Sequence, residues 1–375
     1  MTRPHNSYFA RYLLSSLVFK SALIGGGYTT GRELVEFFLS RGPASGFVGM
    51  VVAAGIFSAV LSVVFEMSRR YRLYDYRTFL KKLLGRGWVL YEIAFLSLLI
   101  LILSVLGAAS GEIVAQRFGT ALWVGTTAQI LCVAIIVFTG TRAIERFFTL
   151  WAVVLYGAFA VFFAVAATTF GPEIAARWHA SHVTQGAASS GLLYAGYSMA
   201  VIPTILYCAR HFERPRDALV SGLLAGPVGM IPAFLFFFAM VSRYPEVNAQ
   251  HVPIIYMLGQ LKAPAFGLVF QAVIFGTLVE AGSALIHGFN ERIADMAAEK
   301  EIQMPAGWRA GTALGLMGVS MVLATKIGIV DLIAKGYGYS TYVFLALIAL
   351  PVLTRGLWLI SRPTAAGQGA APCDA

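Results

Sequence analysis

Apolar runs about as long as a bilayer crossing recur along the whole chain, separated by short clusters of charged and turn-forming residues. A hydrocarbon core of about 30 Å takes roughly 20 helical residues. On that measure the sequence predicts ten spans, at about 8–39, 45–69, 88–117, 121–140, 143–170, 188–210, 216–242, 263–297, 307–325 and 328–360. Several run longer than a perpendicular helix needs, which predicts tilt, bending or extension into water. The longer connections, 70–87, 171–187 and 243–262, are too short for a separate domain. Within the first of them, basic residues interleave with Tyr71, Leu73, Tyr74, Tyr76, Phe79 and Leu80, the pattern of an interfacial helix. Beyond Arg362 the chain turns to Pro, Thr, Ala, Gly and Gln, and a disordered tail is expected over 363–375.

Composition narrows the class. Of 375 residues, 58% are hydrophobic and 12% charged, about half the charge of an ordinary globular domain, which carries about 25%. So sparse a polar coat excludes a soluble enzyme, a disordered chain and a secreted disulfide scaffold. An all-α polytopic membrane protein remains. Cys132, Cys208 and Cys373 have no metal-ligand spacing and read as free thiols. The first apolar stretch is too long for a signal-peptide core and is expected to stay in the protein. The net charge of +10 is topological: twenty of the 28 Lys and Arg residues fall on the side of the N-terminus and seven on the other, with Arg32 inside a span. The positive-inside rule then puts both termini in the cytoplasm, across a bacterial-type plasma membrane. The basic side attracts anionic lipid, and no nucleic-acid partner is needed to explain it.

Ten spans divide into five and five, 1–170 and 171–362, and an odd number per half makes the second half run opposite to the first. That is the requirement of an inverted-topology repeat. The first span of each half carries an interruption. Span one reads Gly25, Gly26, Gly27, Tyr28, Thr29, Thr30, Gly31 at mid-depth. Each glycine costs about 1 kcal/mol of helix propensity relative to alanine, and Thr29 and Thr30 are suited to cap a new helix. Span six carries a weaker interruption at Tyr194, Ala195, Gly196, Tyr197 and Ser198, with Pro203 a turn further on. Non-helical backbone at the midplane survives where it lines a cavity or is buried in protein. Freed amides there suit a carboxylate and freed carbonyls suit an ammonium or small cation, so a zwitterion matches both. The competing reading of Gly25–Gly27 is a close helix-packing surface. A dinucleotide fingerprint fails, since no strand precedes the glycines.

The run Ile24-Gly25-Gly26-Gly27-Tyr28-Thr29-Thr30-Gly31-Arg32-Glu33, together with Ile286-His287-Gly288-Phe289-Asn290-Glu291-Arg292-Ile293, resembles the YkvI-type membrane proteins. These are grouped as candidate amino-acid permeases, distantly related to the amino acid–polyamine–organocation superfamily. The resemblance implies a LeuT-type five-plus-five repeat with substrate held at the breaks of spans one and six. It also implies a sodium ion between span one and the middle of span eight, and a gate arginine in the outer half of span one, which Arg32 matches.

Ionisable groups at membrane depth are functional candidates. Glu280 stands mid-span where the resemblance expects hydroxyl ligands for sodium, with Ser283 one turn away. It either ligates a cation directly or carries protons. Lys20, below the glycine run, could pair with Glu280 in place of sodium, or snorkel to the surface. Arg32 could close the far path by pairing with Glu112 or Asp331; Glu33 and Glu36 are further acidic groups on that side. His287, Asn290, Glu291 and Arg292 read as structural, and His179 with His182 lack a third ligand for a metal.

The sequence therefore points to a secondary transporter of a small zwitterion, an amino acid or derivative, with sodium or protons as coupling ion and no other cofactor. Tyr28, Tyr194 and Tyr197 would also accommodate a quaternary amine. A ligand sensor on a transporter fold is the alternative. An intramembrane serine hydrolase using Ser198 and His287 lacks a supporting second motif, so enzyme function is not expected. Oligomeric state is not encoded in any feature of the chain.

Overall fold

The computed structural model describes residues 8–23, 26–139, 141–261, 263–298 and 306–362, and among these every regular element is helical. The expected tail over 363–375 lies outside the described residues. Seven helices are long and apolar enough to cross a membrane, and three shorter apolar helices lie among them. The first predicted span is divided into α1 (Leu14–Leu23), α2 (Gly26–Thr30) and α3 (Arg32–Phe37), preceded by a short turn Tyr8–Tyr12. Next come α4 (Pro43–Tyr71), the interfacial α5 (Tyr76–Leu84), α6 (Trp88–Phe118), α7 (Leu122–Thr139) and α8 (Thr141–His179). The second half holds α9 (Ala187–Ser198), α10 (Pro215–Val241), α11 (Pro253–Gln260), α12 (Pro264–Ala298), α13 (Ala306–Ile327) and α14 (Ile329–Ser361). The N-terminal, arginine-rich end of the bundle is called the basic side below, and the opposite end the far side.

α4 is the centre of the bundle, packed against α9 and α10. Apolar side chains gain nothing by leaving lipid for one another, so contact here depends on close approach and on hydrogen bonds. Small residues supply both. A Cβ on Gly226 would stand 2.0 Å from the Ala54 carbonyl oxygen, and one on Gly191 would stand 2.2 Å from that of Gly49. Ser58 donates to the Leu223 carbonyl at 2.8 Å beside the first of these contacts. Gly226→Val should therefore force α4 and α10 apart, at a cost of about 1–3 kcal/mol or more for an overpacked contact. The expected result is a lower unfolding temperature in detergent. Gly55→Val, at a position that meets open space, should leave the temperature unchanged.

On the basic side, the start of span one is tied to α10 through Tyr12 to Asp217 at 2.8 Å and Ser15 to Ser221. α5 lies across the same end, its start capped by Asp75 accepting from the Thr78 amide at 2.8 Å.

Span six does not unwind. α9 runs straight into a 3₁₀-helix over Met199–His211. Runs of that winding beyond three or four residues are uncommon. Pro203 lies inside the segment, and its missing N–H and the clash of its ring with the carbonyl four residues back disfavour α winding at that point. α14 departs in the other direction, widening into π-helix over Leu332–Tyr337, Leu345–Ala349 and Val352–Gly356.

Candidate functional site

The described interruption of span one falls at Gly31. Its φ of 80° is left-handed and separates α2 from α3. Gly25 lies outside the described residues, whereas Gly26, Gly27, Tyr28, Thr29 and Thr30 form the single turn of α2. The glycine run thus does not simply stay unwound; Gly26 and Gly27 open a new turn, and the chain changes direction four residues later. Thr30 Oγ1 accepts from the Arg32 amide at 3.3 Å, at the start of α3. Gly31 itself is crowded: a Cβ would stand 3.1 Å from Met240 Sδ and 3.3 Å from Pro253 Cβ.

α3 then carries Glu33 into the protein. The residue is 3% exposed, and its carboxylate accepts a hydrogen bond from the Tyr197 hydroxyl at 2.5 Å. Around it, rings from three elements converge. Tyr197 stacks on Tyr337 of α14 with centroids 4.6 Å apart, and Tyr194 meets Tyr197 edge-on at 5.6 Å. Phe37 lies 5.5 Å from Tyr197, and Phe38 lies 5.0 Å from Tyr194. Tyr28, fully buried, lies within electrostatic reach of both Glu33 and Tyr194. The hydroxyls of Tyr28 and Tyr194 are buried with no hydrogen-bond partner among the described residues. Ser198 neighbours the Tyr194 hydroxyl, but outside hydrogen-bond geometry. Among the described residues no Lys, Arg or His forms an ion pair with Glu33.

The spacing of Glu33 and Phe37, four apart on α3, and of Tyr194 and Tyr197, three apart on α9, is the helical signature of two facing stripes. From sequence alone Glu33 is one of several acidic groups on the far side. Tyr337 carries no local signal and joins only through the tertiary fold. Three other predicted positions have different work. Gly196 is a packing glycine, where a Cβ would meet Thr341 Cγ2 at 2.5 Å, so it does not mark a freed backbone. Ala195 and Ser198 are buried in α9.

The expected gate pairs are corrected. Arg32 bonds Glu36 at 2.7 Å and donates to the carbonyls of Asn248 and Gln250 at 2.8 and 3.1 Å. Glu112 instead meets His251 Nδ1 at 2.7 Å, and Asp331 pairs with Lys335 at 3.1 Å. The physical reason is the segment between α10 and α11, which folds over α3 and offers backbone acceptors before either carboxylate can reach. Arg32 and Glu112 thus clip one segment at two points, Asn248–Gln250 and His251. Lysine lacks the planar fork needed to hold a carboxylate and two carbonyls together. Arg32→Lys should accordingly free this segment, read as faster amide exchange over residues 246–251 than in the parent protein. Unchanged exchange there would show that the clip is not what holds it.

The proposed pair of Lys20 with Glu280 is also corrected. Lys20 Nζ sits 4.2 Å from the Tyr156 ring centroid, a cation–π contact that places the ammonium against α8. Glu280 is half-buried, with no hydrogen bond or ion pair to any described residue. Ser283 is fully buried and donates to the Val279 carbonyl of its own helix at 2.8 Å. From Glu280 the accessible positions of α12 continue through Ala284, Gly288 and Glu291, successive positions on one helical face. Gly288 and Glu291 line a cleft of about 470 Å³ on the basic side, together with Asp75, Arg77, Pro203 and Thr204. At its edge Arg292 lies over Tyr76 and Phe95 at 4.3 and 4.1 Å and faces Glu92 at 3.6 Å, which ties α12 to α5 and α6.

No family model matches the chain. Over 337 residues it is 22% identical to "Uncharacterized membrane protein YkvI" of Bacillus subtilis (strain 168), an alignment covering 89% of this chain and 93% of that protein. This chain is an integral membrane protein. The apolar helices and the near full-length similarity agree on that, and both place it in a lipid bilayer.

Proposed function

We propose that the protein is a secondary active transporter of a small zwitterionic solute, an amino acid or close derivative, working by alternating access coupled to protons or sodium. The observation that carries this reading is the left-handed break at Gly31, which delivers a buried carboxylate on span one to the tyrosines of span six. A discontinuous helix is a device by which transporters build a solute site, and here the broken span one meets the continuous span six. In this reading the chain is a LeuT-type repeat of five and five spans, with the three shorter apolar helices completing ten. The basic side faces the cytoplasm of a bacterial-type plasma membrane, in keeping with the positive-inside rule. The far side is then closed by the clipped segment over α3, and the cleft beside Gly288 opens inward. Glu280, on the helix face that carries Gly288 and Glu291 into that cleft, is the coupling carboxylate.

Purified protein in vesicles tests this directly. Labelled amino acids should accumulate inside only when a proton or sodium gradient is imposed, and dissipating the gradient should release them. A solute that binds tightly yet never accumulates under either gradient would mark a sensor instead.

A further inference from the structure

We propose that Glu33, with the hydroxyls of Tyr28 and Tyr194 and the rings of Tyr197 and Tyr337, forms a site for the primary ammonium group of an organic amine. This rests on the transporter reading for its purpose but not for its chemistry. An ionised carboxylate taken out of water needs a cation or a full set of donors, and among the described residues Glu33 has a single hydrogen-bond donor, Tyr197. The adjacent Arg32 does not supply the charge, because its guanidinium is committed to Glu36 and to two carbonyls of the overlying segment. The acceptors around Glu33 match an ammonium in number. Three N–H groups need three oxygens, and the carboxylate plus the two unpartnered hydroxyls provide them. The walls match it in kind, since tyrosine faces attract a cation through their quadrupole. A hard metal cation usually takes about six oxygen ligands, more than the carboxylate and the two hydroxyls offer.

The rings are in contact, so an entering amine must part them. At Tyr28 and Tyr194 that movement breaks no described hydrogen bond of the hydroxyl.

The test is thermal unfolding of the detergent-purified full chain, titrated with ethylammonium chloride against sodium chloride at equal ionic strength. Ethylammonium should raise the unfolding temperature in a saturable way that sodium does not reproduce. Glu33→Gln should weaken the apparent affinity on the order of a hundredfold, and Tyr28→Phe or Tyr194→Phe, which keep the ring, about tenfold each. Should Glu33→Gln fail to fold, the two Tyr→Phe variants decide alone. An equal shift with sodium, or unchanged affinity in the variants, would overturn the proposal. Ethylammonium binding without flux of any solute in vesicles would leave this site standing and remove the transporter reading. Gradient-driven uptake that is indifferent to Glu33→Gln would do the reverse.

Discussion

Valine in place of Gly31 is expected to lower the unfolding temperature by several degrees and to leave little or no transport. Two effects add. A left-handed backbone costs an L-residue roughly 1–2 kcal/mol, most for β-branched side chains, and crowding against a packed neighbour costs roughly 1–3 kcal/mol more. The crowding is specific: the new Cβ would press on Met240 and on Pro253, the helices that bracket the clipped segment. Gly119 separates the terms, because it is also left-handed, with a φ of 68°, and has open space around it. Gly31→Ala and Gly119→Ala should therefore share the conformational penalty, and the excess at Gly31 reports the contact with α10 and α11. Equal shifts in the two variants would mean that Gly31 is needed only for its backbone freedom.

Glu280→Gln is expected to abolish gradient-driven accumulation while leaving exchange of labelled for unlabelled solute intact. The amide keeps the size of the side chain but cannot carry a proton or a full negative charge, and a carboxylate at this depth has few structural reasons to exist. Accumulation should fall at least about tenfold, the loss of a charged interaction of about 1.5–3 kcal/mol. Ser283→Ala is the comparison, since that hydroxyl already donates to Val279; its effect should be much smaller. Accumulation that survives Glu280→Gln would move the coupling role elsewhere, with Glu33 the remaining fully buried carboxylate of the broken span.

Hydropathy alone located the long helices closely. The expected 45–69, 88–117, 216–242 and 263–297 emerge as Pro43–Tyr71, Trp88–Phe118, Pro215–Val241 and Pro264–Ala298. Such segments announce themselves because lipid demands an unbroken apolar run and water demands charge at its ends. The interruption of span one was legible as a glycine-rich stretch, but not its site. Composition tells where a positive φ is tolerated, and only the packing of Met240 and Pro253 selects Gly31. The partners of Arg32 were not legible for a related reason. Sequence offers charges to match with charges, whereas the fold adds to Glu36 the main-chain carbonyls of a connection that no hydropathy pattern places over α3. Glu33 was visible and its role was not, because its environment is assembled from Tyr197 and Tyr337, distant in sequence.

The tightly wound half of span six has a mechanical corollary. Thirteen residues at the rise of a 3₁₀-helix extend about 6 Å further than the same residues at the rise of an α-helix. Should Met199–His211 rewind as α-helix, against the cost that Pro203 imposes, the rod would shorten by that stroke. Its basic end, and the connection to α10 with it, would be drawn toward mid-depth like a screw turned into its thread.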